Sequence, residues 1–322
     1  MTLNFTDREY QYIENQLEKV DGVGKKTAAK IIGLVDSFSG FSEINKKHLE
    51  SLSYNSGRSV LNSNQVEEII SIIEAIDFNE EIMILEVEEI ISDFIHSTYK
   101  KIKELDLDIL DINPFLIRAL KFDSAEEIIS FYLYQRITRS IVTSWGMTVE
   151  KIAKSCGAKD VPRDENVEYK GKKFDIKKKV KDISYYIQVK SGPNTMNVGM
   201  VESLNEMIGK IEKQDDTNKG ILGMTFGNRE ALSSQISGNL KNIDENSKIG
   251  KEFWDFISQK SGFTEELLDM ISEASKKYET KEGGKKLSDL INKKKSLLLK
   301  QWEELYNGTD EESIKKVEQL NL

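Results

Sequence analysis

Cysteine is almost absent from this chain of 322 residues. The single one, Cys156, excludes an intramolecular disulfide and leaves no thiolate cluster for structural zinc. It follows an apolar helical face with no histidine nearby in sequence, which predicts a buried thiol and not a nucleophile. Histidine is nearly as scarce: His48 and His96 are too few and too scattered for a zinc site, and His96 is expected on a helix surface or helix end. No run of 18 apolar residues occurs, so a membrane-spanning helix is not expected. The first residues, MTLNFTDREYQYIE, are acidic and polar where a secretory signal would be basic and then apolar. The expected compartment is the cytoplasm.

A net positive charge is lacking as well. The chain carries −9, which at first sight argues against a nucleic-acid partner. Distribution matters more than the total. Residues 151–190 hold eleven lysines and Arg163 against six acids, twelve positive charges to six negative, a local net of +6. A basic window inside an acidic chain suits a DNA cleft bordered by solvated acidic faces. A lysine-rich exposed hairpin would carry the same charge with no partner at all.

The basic window ends in the stretch that organises the chain, FDIKKKVKDISYYIQVKSGPNTMN, Phe174 to Asn197. It predicts two β-strands joined by a lysine-rich turn, then a polar loop closed by Pro193. Ile183 to Val189 has the aromatic and β-branched content of a half-buried strand. Side chains alternate along a strand, so Tyr185, Ile187 and Val189 share one face and Tyr186, Gln188 and Lys190 the other. Asp175, with an oxygen donor and a lysine two apart on one face, is the set a metal-dependent nuclease needs. Asp175 would bind a divalent cation, the Gln188 carbonyl would supply a second oxygen, and Lys190 would orient or polarise the attacking water.

Asp175 with Gln188-Val189-Lys190 resembles the PD-(D/E)XK nuclease core, with glutamine in place of the usual second acid. The longer run YYIQVKSGPNTMN, Tyr185 to Asn197, resembles Type II restriction endonucleases of that superfamily. NPFLIRAL after Asn113 and IGKEFWDFISQKSG at 249–262 are similar to segments of the same group. The resemblance implies an α/β (α+β) fold, a mixed β-sheet flanked by helices. It also implies that Glu150, on the helix ahead of the hairpin, points toward the metal, with Mg²⁺ as cofactor and Mn²⁺ as a substitute. A surface role for Glu150 is the plainer alternative. Ser191, Asn194 and Asn197 of the polar loop are candidates for backbone or base contacts.

Near the N-terminus, Val20-Asp21-Gly22-Val23-Gly24-Lys25-Lys26-Thr27-Ala28 resembles a helix-hairpin-helix motif. Gly22 and Gly24 permit a tight turn, the next helix begins with free N–H groups, and Lys25 and Lys26 add charge, so a DNA phosphate could be held without sequence being read. A plain glycine turn between two helices is the alternative. Residues 37–52 resemble the continuation of paired hairpin modules, but SYNSGRSVLNSNQ replaces the expected second glycine turn, so a second copy is expected to be degenerate or absent.

Periodic acidic helices follow over 64–106, and Asp111-Ile112-Asn113-Pro114 breaks the pattern. The expected division is an all-α domain at 1–110, a nuclease domain at 111–262 and a helical extension at 263–322. Arg136 and Arg139 share one side of a helix, suited to salt bridges or a phosphate. Phe253, Trp254 and Phe256 are expected to pack.

Together these features predict Mg²⁺-dependent, sequence-specific hydrolysis of double-stranded DNA by a homodimer, with a cognate methyltransferase acting on the same sequence. The resemblance around QVKSGPNTMN leans toward interrupted GC-rich palindromes of the GGNCC kind. A structure-specific repair or junction nuclease, and a DNA-binding protein whose catalytic site has decayed at Gln188, are the alternatives.

Overall fold

A computed structural model describes residues 5–54, 56–281 and 286–320. The fold is α+β, as the resemblance implies, and it divides into two compact units, 1–87 and 88–322.

The first unit is helical. Helices α1 (Asp7–Leu17) and α2 (Lys25–Ile32) are joined by the glycine turn, where Gly22 adopts φ +77°. A side chain there would occupy the left-handed region that glycine enters at little cost. The Val23 N–H closes the turn on the Val20 carbonyl at 3.0 Å. Farther on, α3 (Lys46–Glu50) and α4 (Ser63–Ala75) are joined by a longer connection in which Gly57 also takes φ +77°. This connection lacks the GxG spacing of the first turn. The two turns differ at the helix that follows. Gly24 precedes α2 with no side chain to cap it, whereas Asn62 caps α4 through the Gln65 N–H at 2.9 Å. Gln65 in turn donates its amide to the Asp21 carbonyl at 2.9 Å, tying the second turn to the first. Ile13, Leu17, Ile31, Ile32, Phe41 and Ile69 fill the core beneath.

Helix α5 (Phe78–Lys103) carries the long acidic segment, and the division between the units falls within it. The pattern break is real: a short 3₁₀ turn at Leu107–Leu110 precedes Asp111, whose φ is +52°, and Pro114 then opens α6 (Pro114–Leu120). Pro114 suits the first helical turn because its missing N–H would be unpaired there. Helix α7 (Ala125–Ser155) runs unbroken through Gly146. Interior glycine costs about 1 kcal/mol relative to alanine, which buried Val149 and Ile152 just beyond it can offset.

Five strands form one sheet in the order β1 (Lys159–Asp160), β2 (Ile176–Val180), β3 (Ile183–Lys190), β4 (Asn218–Met224) and β5 (Ser247–Ile249). The first three are antiparallel neighbours, and β3–β4 and β4–β5 are parallel. A parallel neighbour needs a crossover, supplied between β3 and β4 by α8 (Val198–Glu212). Met207, Ile208 and Ile211 of α8 pack with Phe174, Tyr186 and Leu222 on one sheet face. After the single turn α9 (Ser234–Ser237), helix α10 (Lys251–Ser258) covers the other face. Phe253 lies against Gly223, where any Cβ would come within 2.4 Å of its ring. The aromatic helix therefore packs, as expected: Trp254 donates to the Thr225 carbonyl at 2.8 Å and Phe256 meets Tyr185 edge-on at 4.8 Å.

The C-terminal helices α11 (Phe263–Lys281), α12 (Leu287–Tyr306) and α13 (Glu311–Leu320) dock on the body. Leu298 and Trp302 of α12 share a core with Ile128, Leu133 and Ile117. His96 stands exposed on α5, on a helix surface as expected, with Nδ1 at 3.3 Å from the Tyr278 hydroxyl. Cys156 is buried at the end of α7. No helix among the described residues is long and apolar enough to cross a membrane.

Candidate active site

Asp175 stands one residue before β2, and its N–H donates to the Ile187 carbonyl of β3 at 2.9 Å. That bond fixes where the side chain can reach. Asp175 Oδ2 accepts from the Val189 N–H at 2.7 Å and from Gln188 Nε2. Among the described residues no hydrogen bond falls on Oδ1, which leaves that atom for another ligand. Gln188 is buried and Lys190 half-buried, on the same face of a strand flanked on both sides. With Lys172, Lys173 and Met196 they line a cleft of about 340 Å³.

Glu150 projects from α7, about a turn and a half before its end. Burial holds its carboxyl above the usual carboxylate range, and the negative charge of Asp175 pushes it further up, while Lys154 and Lys190 pull it down. Asp175 is raised too, chiefly by burial, against the opposing pull of Lys190, the Val189 N–H, Gln188 and Lys154. Each carboxylate thus feels the other's surroundings and the same two ammonium groups. Helix and hairpin converge here.

Lys154 is a site neighbour that the motif does not contain. It pairs with Asp160 Oδ1 of β1. Its four-residue spacing from Glu150 puts both on one side of α7, the one signal in the sequence that could have pointed to it. Gln188 differs in detail from the expectation of a carbonyl ligand, since its NH₂ faces Asp175. Turning the amide about its last bond exchanges the two atoms.

The donor set is two carboxylates and an amide. Among the described residues no three histidine, cysteine or acidic side chains cluster as a metal cage. A hard divalent cation suits the smaller set, because Mg²⁺ commonly keeps several waters and binds one or two carboxylates together with phosphate oxygens. Two acids raised by burial, one of them by the other's charge as well, are also the groups a cation would relieve.

The loop after Lys190 is partly committed to the fold. Ser191 accepts from the Thr225 hydroxyl at 3.1 Å through its carbonyl, and Asn194 is exposed. Asn197 caps α8 by accepting from the Met200 N–H at 3.0 Å, which leaves only its amide nitrogen for a ligand. In the N-terminal unit, Lys25 and Lys26 are exposed at the uncapped start of α2, and Lys25 lies 3.8 Å from Glu14. Arg136 pairs with Asp111 at 3.8 Å.

Residues 80–279 match the family profile of Type II restriction endonuclease EcoO109I. The chain belongs to this family. No curated protein matches it. Membership makes the chain a sequence-specific type II nuclease that acts on double-stranded DNA, in a class that generally uses divalent metal ions. Every residue of the cleft falls inside the matched span, whereas the glycine turn at Gly22–Gly24 lies outside it.

Proposed function

We propose that Asp175, Glu150, Gln188 and Lys190 form a PD-(D/E)XK-type hydrolytic centre that cuts both strands of a short palindrome, of the interrupted GGNCC kind. The convergence of two raised carboxylates on Lys190 is the observation that carries this reading. Asp175 and Glu150, with the Gln188 amide turned, would hold Mg²⁺, Mn²⁺ substituting. A bound cation supplies charge stabilisation at the scissile phosphate and acidifies water.

The protein's own groups do the rest. Asp175 is oriented by the Val189 N–H, so its outer oxygen is presented without a search for geometry. Lys190 holds a donor at the cleft to orient the attacking water. Lys172 and Lys173 place positive charge at its rim, where a phosphate backbone would approach. We assign the nuclease work to 111–262, the helical extension at 263–322 to its support, and a helix-hairpin-helix grip on flanking phosphates to Gly22, Gly24, Lys25 and Lys26 within 1–110. Ser191, Asn194 and the amide nitrogen of Asn197 are the proposed loop contacts to DNA. Two copies of the chain, one per strand, suit a palindrome.

Digestion of a sequenced plasmid with Mg²⁺, followed by end mapping, tests the proposal. The parent should give discrete bands with constant ends. Asp175→Ala and Lys190→Ala should each lose cleavage while keeping DNA affinity. Cutting by Asp175→Ala at the parent rate would reject the site. Cleavage of branched DNA alone would favour a repair nuclease, and binding with no hydrolysis in either Mg²⁺ or Mn²⁺ a decayed site.

A further inference from the structure

The outward face of α6 and α7 is unusually apolar. Five of the fourteen large hydrophobic side chains that stand exposed among the described residues lie between positions 115 and 134, and Val142 adds a sixth. Phe115 is 72 % exposed, Tyr134 51 % and Val142 54 %, with Leu116, Leu120 and Phe131 each more than a third exposed. On α7, Phe131, Tyr134, Thr138 and Val142 recur at three- and four-residue steps and so form one stripe. Helix α6 is fastened beside it. The Tyr132 hydroxyl bonds both backbone groups of Asn113, at 3.0 and 3.2 Å, and Phe122 meets the Phe131 ring at 5.3 Å.

We propose that this face docks on the same face of a second copy of the chain. The proposal rests on the reading above, in which two sites are needed to cut both strands, and adds where the copies meet. Area is the first argument. With large side chains offering ~150–250 Å² each, these residues leave on the order of 500 Å² of apolar surface bare. That is near the top of the ~300–600 Å² patch a monomer tolerates, and a large part of the ~800 Å² each partner gives to a standard interface.

Charge is the second argument. The stripe positions 131, 134, 135, 138 and 142 are Phe, Tyr, Gln, Thr and Val, with no charge among them. An isologous contact sets each patch against its own copy, so an uncharged stripe meets no like-charge penalty. The third argument is continuity with the site. Val142 precedes Glu150 by eight residues on one unbroken helix, about 12 Å of rise. Docking along α7 therefore fixes the second copy relative to the first copy's catalytic acid.

Sedimentation of the full chain without DNA, at micromolar concentration, tests this. The parent should run at twice 36.8 kDa, and Tyr134→Asp with Val142→Asp at 36.8 kDa with an unchanged near-ultraviolet dichroism spectrum. Leu305→Asp, at a side chain 66 % exposed on α12, should leave the dimer intact. If the double variant misfolds, Phe115→Asp reports on the same face. With plasmid DNA the monomeric variant should accumulate nicked circles before linear product, whereas the parent linearises directly. A parent that is monomeric, its face covered by another part of the same chain or by nothing, overturns the proposal, and so does a folded variant that remains dimeric. Because sedimentation needs no cleavage, failure of the nuclease reading would be seen separately.

Discussion

Asp175 accepts a hydrogen bond from Gln188 at the position where a second acid would bring a negative charge. The exchange has an energetic consequence. Gln188 is buried, so Gln188→Glu would set one carboxylate against another and leave the metal-free protein with a poorly satisfied buried acceptor, at a cost of about 1–3 kcal/mol. We expect the variant to melt below the parent without Mg²⁺ and to gain more than the parent when Mg²⁺ is added. Calorimetry with and without the metal checks both, and a variant blind to Mg²⁺ would place Gln188 outside the metal's reach. The raised carboxylates predict a pH dependence of opposite sense to the usual one. Because the folded values of Asp175 and Glu150 lie above the unfolded ones, the folded protein holds extra protons between the two. The stability that these protons bring is complete below the ordinary carboxylate range and is lost as pH rises through the raised values. Asp175→Asn should accordingly melt a few degrees higher than the metal-free parent at pH 7, roughly 1 kcal/mol, with the gap closing in acid. At this scale the sequence was informative where geometry is local. Asp175, Gln188 and Lys190 are legible because strand alternation alone puts the last two on one face. The Lys154–Asp160 pair was not, since it depends on how α7 approaches β1.

Helix α7 and strand β2 are the elements whose relation the site depends on, and one buried lysine joins them. Lys178 of β2 donates to the Cys156 carbonyl at 3.0 Å, closing the C-terminal end of α7. Burial lowers its pKa, so the charge is held at a cost that the helix end partly offsets. Glu150 lies six residues before Cys156, and Asp175 three before Lys178. Lys178→Met exchanges a buried charge for an apolar chain of similar length while leaving one carbonyl without its donor. These changes oppose each other within a few kcal/mol, so we expect a modest shift in melting temperature. Metal binding should suffer more: several-fold more Mg²⁺ should be needed for half-maximal cleavage, with turnover at saturating Mg²⁺ much less affected. Equal loss at all Mg²⁺ concentrations would refute a positioning role. The hairpin, the crossover helix and β4 were all readable from pattern. The two-residue β1 was not, because so short a strand has no periodicity. Nor was the start of α4: Gly57 and the Asn62 cap shape the connection before it by side-chain capping and a single glycine, chemistry that a search for repeated GxG does not detect.

On the scale of the whole molecule, the proposed reading assigns cutting and holding to different stretches of chain. The cleft lies within residues 80–279, and the glycine turn lies before them. Of the two turns in the N-terminal unit, only the first leads into a helix whose leading N–H groups lack a side-chain cap. We therefore expect Lys25→Ala with Lys26→Ala to weaken binding about equally for cognate and unrelated DNA. For every phosphate that is no longer neutralised, the slope of log affinity against log salt should become shallower by roughly 0.9. Titrations at several salt concentrations check this, and a weakening confined to cognate DNA would point to base reading instead. End positions of the cut products should not move. An appendage of this sort leaves evolution two separate dials. With the proposed grip at Gly22–Lys26, changes there would retune the enzyme to a saltier or more dilute cell without disturbing the chemistry of the cleft.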